Sequence, residues 1–305
     1  IRSCKNREKE ALDMIEMRIA HPGEEPAQRA LWHLAFGDED DYVDLFYRDC
    51  YAPQRMLVLL DGGVLSSMAA FCPMTLRLPD GGSRKAAYLY ALATHPATRN
   101  QGFCRQLLNY ADFYLKEQGF DCVCLVPAEA SLHRFFESVG FDECFATRKL
   151  ERLSKAVWAP AEGDSISPVS GEDYKALRDE MLKGSFFMSH DVRWLSHQKN
   201  VSLASGADLY RLSVGGETGL AACEYCDKES VVAKELLLPK KQLERGLALV
   251  KSRLPAARYY VRTPVFGESF AGSYGQTFAM VKWYQKTDAA LLGLITDGYL
   301  GLALD

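Results

Sequence analysis

Apolar positions in the first half of the chain alternate between strand-like and helix-like patterns, which predicts an α/β protein. Runs typical of strands occupy residues 16–20, 56–60, 65–78, 85–94, 121–126 and 141–153. Helical spacing occupies residues 26–36, 39–51, 100–118 and 131–139. In the helix predicted at 100–118, one face repeats every four positions, at Phe103, Leu107, Ala111 and Leu115. Pro73 predicts a break or bulge in the strand at 65–78.

The same order of elements recurs in the second half. Residues 154–170 contain two Pro, a Gly and several Ser, which is typical of a linker. Helices are predicted at 171–183, 191–197 and 242–254, and strands at 208–214, 219–225, 231–238 and 258–262. This recurrence indicates a diverged internal duplication. The predicted division is an N-terminal extension at 1–13, a first domain at 14–153, the linker at 154–170 and a second domain at 171–305.

Composition narrows the class of protein. A length of 305 residues favours two domains, and 48% hydrophobic with 25% charged residues is ordinary for a globular chain. The net charge of −4 gives no reason to expect nucleic acid or an anionic membrane as partner. No apolar run approaches the roughly 18 residues of a membrane span. Nine cysteines without an export signal predict reduced thiols in the cytoplasm.

Residues 92–104 carry the most informative chemistry, between a predicted strand and a predicted helix. The strand ends at Thr94, and Pro96 prevents the ladder from continuing. A short loop with Arg99 and Gly102 then leads directly into the helix. The first N–H groups of a helix lack partners and carry the positive end of its dipole. This arrangement therefore suits an anion, above all a pyrophosphate.

The loop resembles the central motif of the GNAT N-acetyltransferase superfamily, R/Q-x-x-G-x-G/A at the start of a helix. Its sequence THPATRNQGFC matches at Pro96, Arg99 and Gly102. Residues 125–141 resemble the second motif, a strand and a helix closing with Y-x-x-x-G-F. The chain as a whole is similar to tandem-GNAT proteins related to the enhanced intracellular survival acetyltransferases. The resemblance implies an α/β fold of two GNAT-like mixed-sheet domains in tandem, the second degenerate.

The resemblance also implies a function, the acetyl-CoA-dependent transfer of acetyl to a primary amine of a small acceptor. Acetyl-CoA would be the co-substrate, and no metal would be needed. The pantetheine arm would pair with the backbone of Leu92, Ala93 and Thr94. The pyrophosphate would be held beside Arg99 by the amides of Asn100, Gln101, Gly102, Phe103 and Cys104.

Two positions depart from the family pattern. Cys104 stands where Gly or Ala is usual, and it is small enough for close packing. Phe136 stands where many members carry the tyrosine that acts as general acid, and phenylalanine has no proton to donate. A catalytically weak or silent acyl-CoA-binding module is therefore the alternative to an enzyme, and a scaffold protein is a third reading.

Replacement catalytic groups are predicted from position. Tyr88 and Tyr90 alternate on one strand and share a face, so Tyr90 can line the acceptor site or the core. In the enhanced intracellular survival relatives the C-terminus acts as base, which implies a similar role for the terminal carboxylate of Asp305. The alternative is a closing strand with a solvent-exposed end. We interpret His95 as a turn residue, His133 as a solvated surface residue and Glu129 as a loop carboxylate.

The second half lacks the glycine loop. Its equivalent segment, 238–243, has Pro239, Lys240 and Lys241 but no glycine, so this half is not expected to bind CoA. We expect it to wall off the acceptor cleft or to form a subunit interface, with a homo-oligomer left open. Cys223 and Cys226, three apart in an alternating strand, point to opposite faces and do not predict a metal site.

Overall fold

The computed structural model describes residues 15–157, 159–266, 271–285 and 297–304 of the protein. The predicted extension at 1–13 and Asp305 lie outside these residues. Within them the helices are α1 Glu25–Phe36, α2 Asp40–Asp49, α3 Phe103–Glu117, α4 Leu132–Glu137, α5 Gly171–Met181, α6 Val192–Ala204 and α7 Leu243–Arg253. The strands of the N-terminal half are β1 Ile15–Ile19, β2 Met56–Asp61, β3 Val64–Arg77, β4 Ser83–Thr94, β5 Cys122–Leu125 and β6 Asp142–Leu153. The C-terminal half has β7 Ser165–Pro168, β8 Phe187–Ser189, β9 Leu209–Val214, β10 Glu217–Asp227, β11 Ser230–Leu237, β12 Arg258–Thr263 and β13 Tyr274–Trp283.

The strands form one mixed sheet that runs through both halves. Its order is β1-β2-β3-β4-β5-β13-β6-β12-β11-β10-β9-β7, and β8 pairs with β3. In each half an antiparallel meander leads to a parallel pair, β4 with β5 and β11 with β12. The connections of these parallel pairs run through α3 and α7, as parallel strands require. The predicted recurrence of elements is therefore present in the fold.

The two halves exchange strands at the centre of the sheet. β13, from the end of the chain, lies antiparallel between β5 and β6. β6, from the first half, pairs antiparallel with β12 of the second. The sequence pattern predicted no strand at β8 or β13, and β7 lies inside the predicted linker.

Each half carries a β-bulge at the same point of its meander. Pro73 pairs in regular register with Ala87, so the bulge predicted near Pro73 is wrong. The irregularity lies instead in β4, where Ala91 has φ 49° and the register shifts opposite Met68 and Ala70. In β11 the extra residue is Lys234, because Ala222 pairs with Glu235 and Cys223 with Ala233. A bulge re-aims side chains and often lies beside a functional site.

Three hydrophobic cores hold the molecule together. One lies under α3 and α4, and a second lies under α7. The third, which we call the shared core, contains residues of both halves, including Trp32 and Phe46 from α1 and α2 and Trp194 from α6. Because the shared core draws on both halves, their relative position is set by apolar burial as well as by the sheet.

Candidate active site

A cleft opens where β4 and β5 diverge. The two strands pair only at Ala86, Ala87 and Tyr88 of β4. Beyond Tyr88 the bulge at Ala91 turns β4 away, and β5 ends at Leu125. The edge of β4 that faces β5 is therefore unpaired from Leu89 onwards in the described sheet. Unpaired strand edges offer backbone N–H and C=O groups to an extended ligand.

The loop that follows β4 exposes a row of backbone donors at the start of α3. Asn100 has φ 64° and Gly102 has φ 82°, and Gly102 is the N-cap of the helix. The first helical bond joins the Gln106 N–H to the Gly102 carbonyl at 3.0 Å. Over the described residues, the N–H groups of residues 101–105 have no hydrogen-bond partner. Donors of this kind at a helix N-terminus suit an anion.

Side chains around the loop leave it open. Arg99 is exposed, with its Nε 3.4 Å from the Thr94 carbonyl, and Phe103 is buried in the core under α3. A Cβ at Gly102 would meet no heavy atom closer than 4.0 Å, so the positive φ is what requires glycine. His95 accepts a hydrogen bond from the Ala97 N–H at 3.2 Å, which confirms its interpretation as a turn residue.

A cavity of 780 Å³ continues the cleft into the molecule and draws its lining from both halves. The N-terminal half supplies Trp32, Phe36, Asp38, Tyr42, Tyr88 to Leu92, Leu125 to Ala130, Leu132, His133, Phe136 and Lys149. The C-terminal half supplies Glu224, Lys234, Gln276, Thr277, Phe278 and Leu304. Of the predicted site residues, the structure brings Tyr90, Leu92 and Phe136 together in this lining. The predicted base, Asp305, lies outside the described residues.

The other predicted residues are not part of this lining. Ala93 is buried in the shared core, and the Thr94 hydroxyl is 3.0 Å from that of Ser67. Asn100 and Gln101 are exposed on the loop. Cys104 is partly buried, and burial raises the pKa of its thiol to about 11, so it stays protonated near neutral pH.

Tyr90 is the tyrosine with the clearest polar contact in the cavity. Its hydroxyl is 2.8 Å from that of Tyr42, and its ring lies edge-on to Trp32 with centroids 5.4 Å apart. Tyr88 stacks beside it at 6.4 Å, which confirms that the two share a face. Burial, together with Tyr42, raises the pKa of Tyr90 well above its usual value. Tyr90 therefore stays protonated at neutral pH and does not suit a base.

A charged pair from the C-terminal half faces the same cavity. The Lys234 ammonium is 3.0 Å from the Glu224 carboxylate, and the two side chains are 5% and 14% exposed. Gln198 donates to Glu224 at 2.5 Å. The sequence analysis did not identify this pair. The available signal was the two adjacent charges, Lys234 and Glu235, within the apolar run VVAKELLL.

Two further titratable side chains line the cavity wall, and one of them differs from what the sequence predicted. His133 is partly buried there, with its Nδ1 2.9 Å from Glu143. Its interpretation as a solvated surface residue is therefore wrong. Glu129 also lines the cavity while accepting a hydrogen bond from Ser131 at 3.1 Å. Both add titratable groups within reach of a bound molecule.

Potential metal ligands stay apart in the described part of the chain. Across these ranges, no three His, Cys, Asp or Glu side chains converge as a metal would require. No helix among the described residues is both long enough and apolar enough to span a bilayer.

Comparison with known proteins agrees with this geometry. A family model described as an acetyltransferase (GNAT) domain matches residues 16–144. No curated protein sequence matches the chain. A probable N-acyltransferase of Enterococcus faecalis V583 is similar in structure, with a TM-score of 0.68, 13% identity, and coverage of 88% of this chain and 73% of that one. Eis1 from Mycobacterium abscessus has a TM-score of 0.64 and 14% identity, with coverage of 88% and 73%.

A GCN5-related N-acetyltransferase from Anabaena variabilis is similar over a comparable span, with a TM-score of 0.68, 13% identity, and coverage of 88% and 72%. At such identities the likeness concerns the fold. The segment that matches the family model is the one that holds the cleft and the loop. Residues 16–144 therefore match the model of a GNAT acetyltransferase domain, within a chain whose fold is similar over most of its length to GCN5-related N-acetyltransferases.

Proposed function

We propose that the protein is an acetyl-CoA-dependent N-acetyltransferase whose acceptor is a primary amine on a small molecule. The observation that carries this proposal is that the N–H groups of residues 101–105 lack partners on the loop that follows β4, and the unpaired edge of β4 lines the cavity. The loop offers donors for a pyrophosphate, and the cavity offers space for an acceptor.

Bound acetyl-CoA would supply the acetyl thioester. The residues proposed to bind it are Leu92, Ala93 and Thr94 along β4, then Arg99 and the amides of Asn100, Gln101, Gly102, Phe103 and Cys104. Phe136 would pack against it through its buried ring. The chain's own contribution would be mainly positioning, together with removal of a proton from the amine and delivery of a proton to the leaving thiolate.

Binding is tested with a matched pair of glycine variants at the two ends of α3. Gly102 and Gly119 both have positive φ, 82° and 71°, and a Cβ at either position would meet no heavy atom closer than 4.0 Å. Both substitutions therefore carry similar backbone strain. We expect Gly102→Val to weaken acetyl-CoA binding roughly tenfold or more, because the loop amides turn away.

The measurement is isothermal titration calorimetry with acetyl-CoA. Gly119→Val is the control and should bind as the wild type does. Equal affinity of the wild type and Gly102→Val would show that the pyrophosphate lies elsewhere. No binding by the wild-type protein would remove the proposal altogether.

Tyr90 is proposed as the general acid in place of Phe136, supported by its cavity position and its protonated hydroxyl. We expect Tyr90→Phe to lower kcat by about 10²–10⁴-fold, the usual contribution of a positioned acid, with acetyl-CoA affinity unchanged. Tyr47→Phe is the control, because it removes a buried hydroxyl from the same aromatic cluster without touching the cavity. An unchanged kcat in Tyr90→Phe would assign the acid to another group.

Asp305 remains the predicted base, and its support is that the preceding residue, Leu304, lines the cavity.

A silent acyl-CoA-binding module is the second candidate, favoured by Phe136 in the cavity lining. A free-thiol assay across a panel of amines separates the two. Acetyl-CoA binding without thiol release for any amine would favour the silent module.

A further inference from the structure

Residues 298–304 pass through the interior of the molecule and reach the cavity. Leu300, Leu302 and Ala303 are fully buried, and Leu304 contributes to the cavity lining. The segment lies between β6 and β8, with single bridges from Phe145 to Gly298 and from Phe187 to Tyr299. It therefore acts as a strap between the two halves, and its far end is a wall of the proposed acceptor site.

Backbone bonds fix the first part of the strap. The Gly298 carbonyl accepts from the Ala146 N–H at 2.9 Å. The Tyr299 N–H donates to the Phe186 carbonyl, and the Tyr299 carbonyl accepts from the Met188 N–H, both at 2.9 Å. These bonds stop at Tyr299, so the part that enters the cavity wall needs other support.

Side chains of the C-terminal half supply that support. Arg178 Nη2 donates to the Leu300 carbonyl at 3.0 Å, and His190 Nε2 donates to the Leu302 carbonyl at 2.8 Å. Two alternate carbonyls of the strap are thus held by buried side chains, immediately before the residue that lines the cavity.

Arg178 is anchored in turn by a fully buried ion pair. Its Nε is 3.0 Å from both oxygens of Glu235, and its Nη1 donates to the Met188 carbonyl at 2.7 Å. Tyr174 donates to Glu235 at 2.8 Å. A buried ion pair seldom stabilises a protein more than apolar residues of the same volume would. Apolar side chains have no N–H donors, so they could not bridge the carbonyls of Met188 and Leu300 as Arg178 does.

The strap touches this pair directly. Gly301 has φ 75°, and a Cβ there would collide with the Glu235 carboxylate. The bulge at Lys234 also links the pair to the cavity. The register shift at Lys234 places two consecutive charged side chains of β11 in separate ion pairs. Lys234 pairs with Glu224 at the cavity, and Glu235 pairs with Arg178.

We propose that Arg178 and Glu235 are positioning residues for acyl transfer, which hold residues 298–304 so that Leu304 forms the wall of the acceptor cavity. This rests on the proposed function. It gives the C-terminal half a defined task in a reaction whose cofactor loop lies in the N-terminal half. Neither residue touches the cavity itself, so the effect is transmitted through the strap.

The test compares Arg178→Lys with Arg245→Lys. Lysine keeps the charge but lacks the planar fork that reaches Glu235 and two carbonyls at once. Arg245 is the control in the same half; it is more exposed than Arg178, and its guanidinium bonds Asp164 at 3.0 and 2.6 Å and not the strap. Readouts are acetyl-CoA affinity, kcat and KM for the amine, and hydrogen exchange of a peptide covering 298–304.

For Arg178→Lys we expect unchanged acetyl-CoA affinity, faster exchange in the strap, and kcat/KM lower by about 10–100-fold, as misplacement of a site wall by an ångström would give. Arg245→Lys should match the wild type in all three. Wild-type kcat/KM and exchange in Arg178→Lys, or the same losses in Arg245→Lys, would overturn the proposal.

A second variant tests the proposal in case Arg178→Lys does not fold. Arg178→Met combined with Glu235→Met removes both charges together, which proteins often tolerate. It should fold, release the strap and show the same loss of kcat/KM, and wild-type exchange would refute the positioning role. If the wild type binds acetyl-CoA but acetylates no amine, the proposed function fails, while strap exchange still decides the role of Arg178.

Discussion

At the scale of single residues, backbone conformation shapes the candidate cofactor loop. Gly102 and Asn100 both have positive φ, a region that glycine adopts freely and asparagine tolerates. These residues turn the chain so that α3 begins with its donors facing outwards. The motif was readable in the sequence because this conformation restricts which residues can occupy the loop.

The partners of buried charged residues could not be predicted from the sequence in the same way. Lys234, Glu235 and Arg178 are each almost fully buried. Arg178 and Glu235 pair across a long stretch of sequence, whereas Lys234 pairs with Glu224 across one hairpin. Sequence patterns reveal that a charge interrupts an apolar run, but they do not identify the partner that makes its burial tolerable.

His190 gives a pH-dependent prediction. Burial, with Arg178 next, lowers the pKa of His190 well below its usual 6.5, so the native imidazole stays neutral. The unfolded chain binds a proton there below pH 6.5 and the native chain does not. The free energy of unfolding contributed by this residue is therefore present above pH 6.5 and is lost as the pH falls below it.

The variant His190→Gln keeps an N–H donor for Leu302 and does not titrate. Between pH 7.5 and 5.5 we expect its free energy of unfolding to fall by about 1 kcal/mol less than that of the wild type. Urea unfolding at the two pH values measures this difference. Identical pH dependence of the two proteins would mean that His190 binds a proton as readily in the native state as in the unfolded state.

At the scale of elements, local sequence patterns located most helices and strands, but they did not locate β8 and β13. The helices predicted at 26–36, 39–51 and 100–118 correspond to α1, α2 and α3. β8 and β13 had no strand-like pattern of their own. β13 begins with four exposed residues and is buried only from Phe278 to Val281. A strand whose burial changes along its length lacks the period of two that reveals strands.

β13 also yields a test of the strand exchange. Met280 is fully buried and packs in the core under α3, which otherwise comes from the first half of the chain. We expect Met280→Ala to lower the free energy of unfolding by about 2–5 kcal/mol, as core truncations do. Tyr274→Ala, at an exposed position of the same strand, should change it by no more than about 0.5 kcal/mol. Comparable small effects in urea unfolding would argue against β13 lying between β5 and β6.

At the scale of the whole molecule, the division into domains at 14–153 and 171–305 remains a prediction. The strand exchange and the shared core join these segments closely. Each half needs a strand that the other supplies, and the strap crosses between them. The cavity is lined from both halves for the same reason.

The sequence by itself determined the α/β class, the order of most elements and the position of the candidate cofactor loop. These features depend on periodicity and on backbone conformation, which act over a few residues. Only the tertiary structure decided which strand fills the gap between β5 and β6, and which charges meet at the cavity. The pairing of β13 joins residues far apart in the chain, and many apolar strands would satisfy the same local pattern, so packing alone selects among them. The Lys234–Glu224 pair lies within one hairpin, but the residues of the first half that complete the cavity around it are distant in sequence.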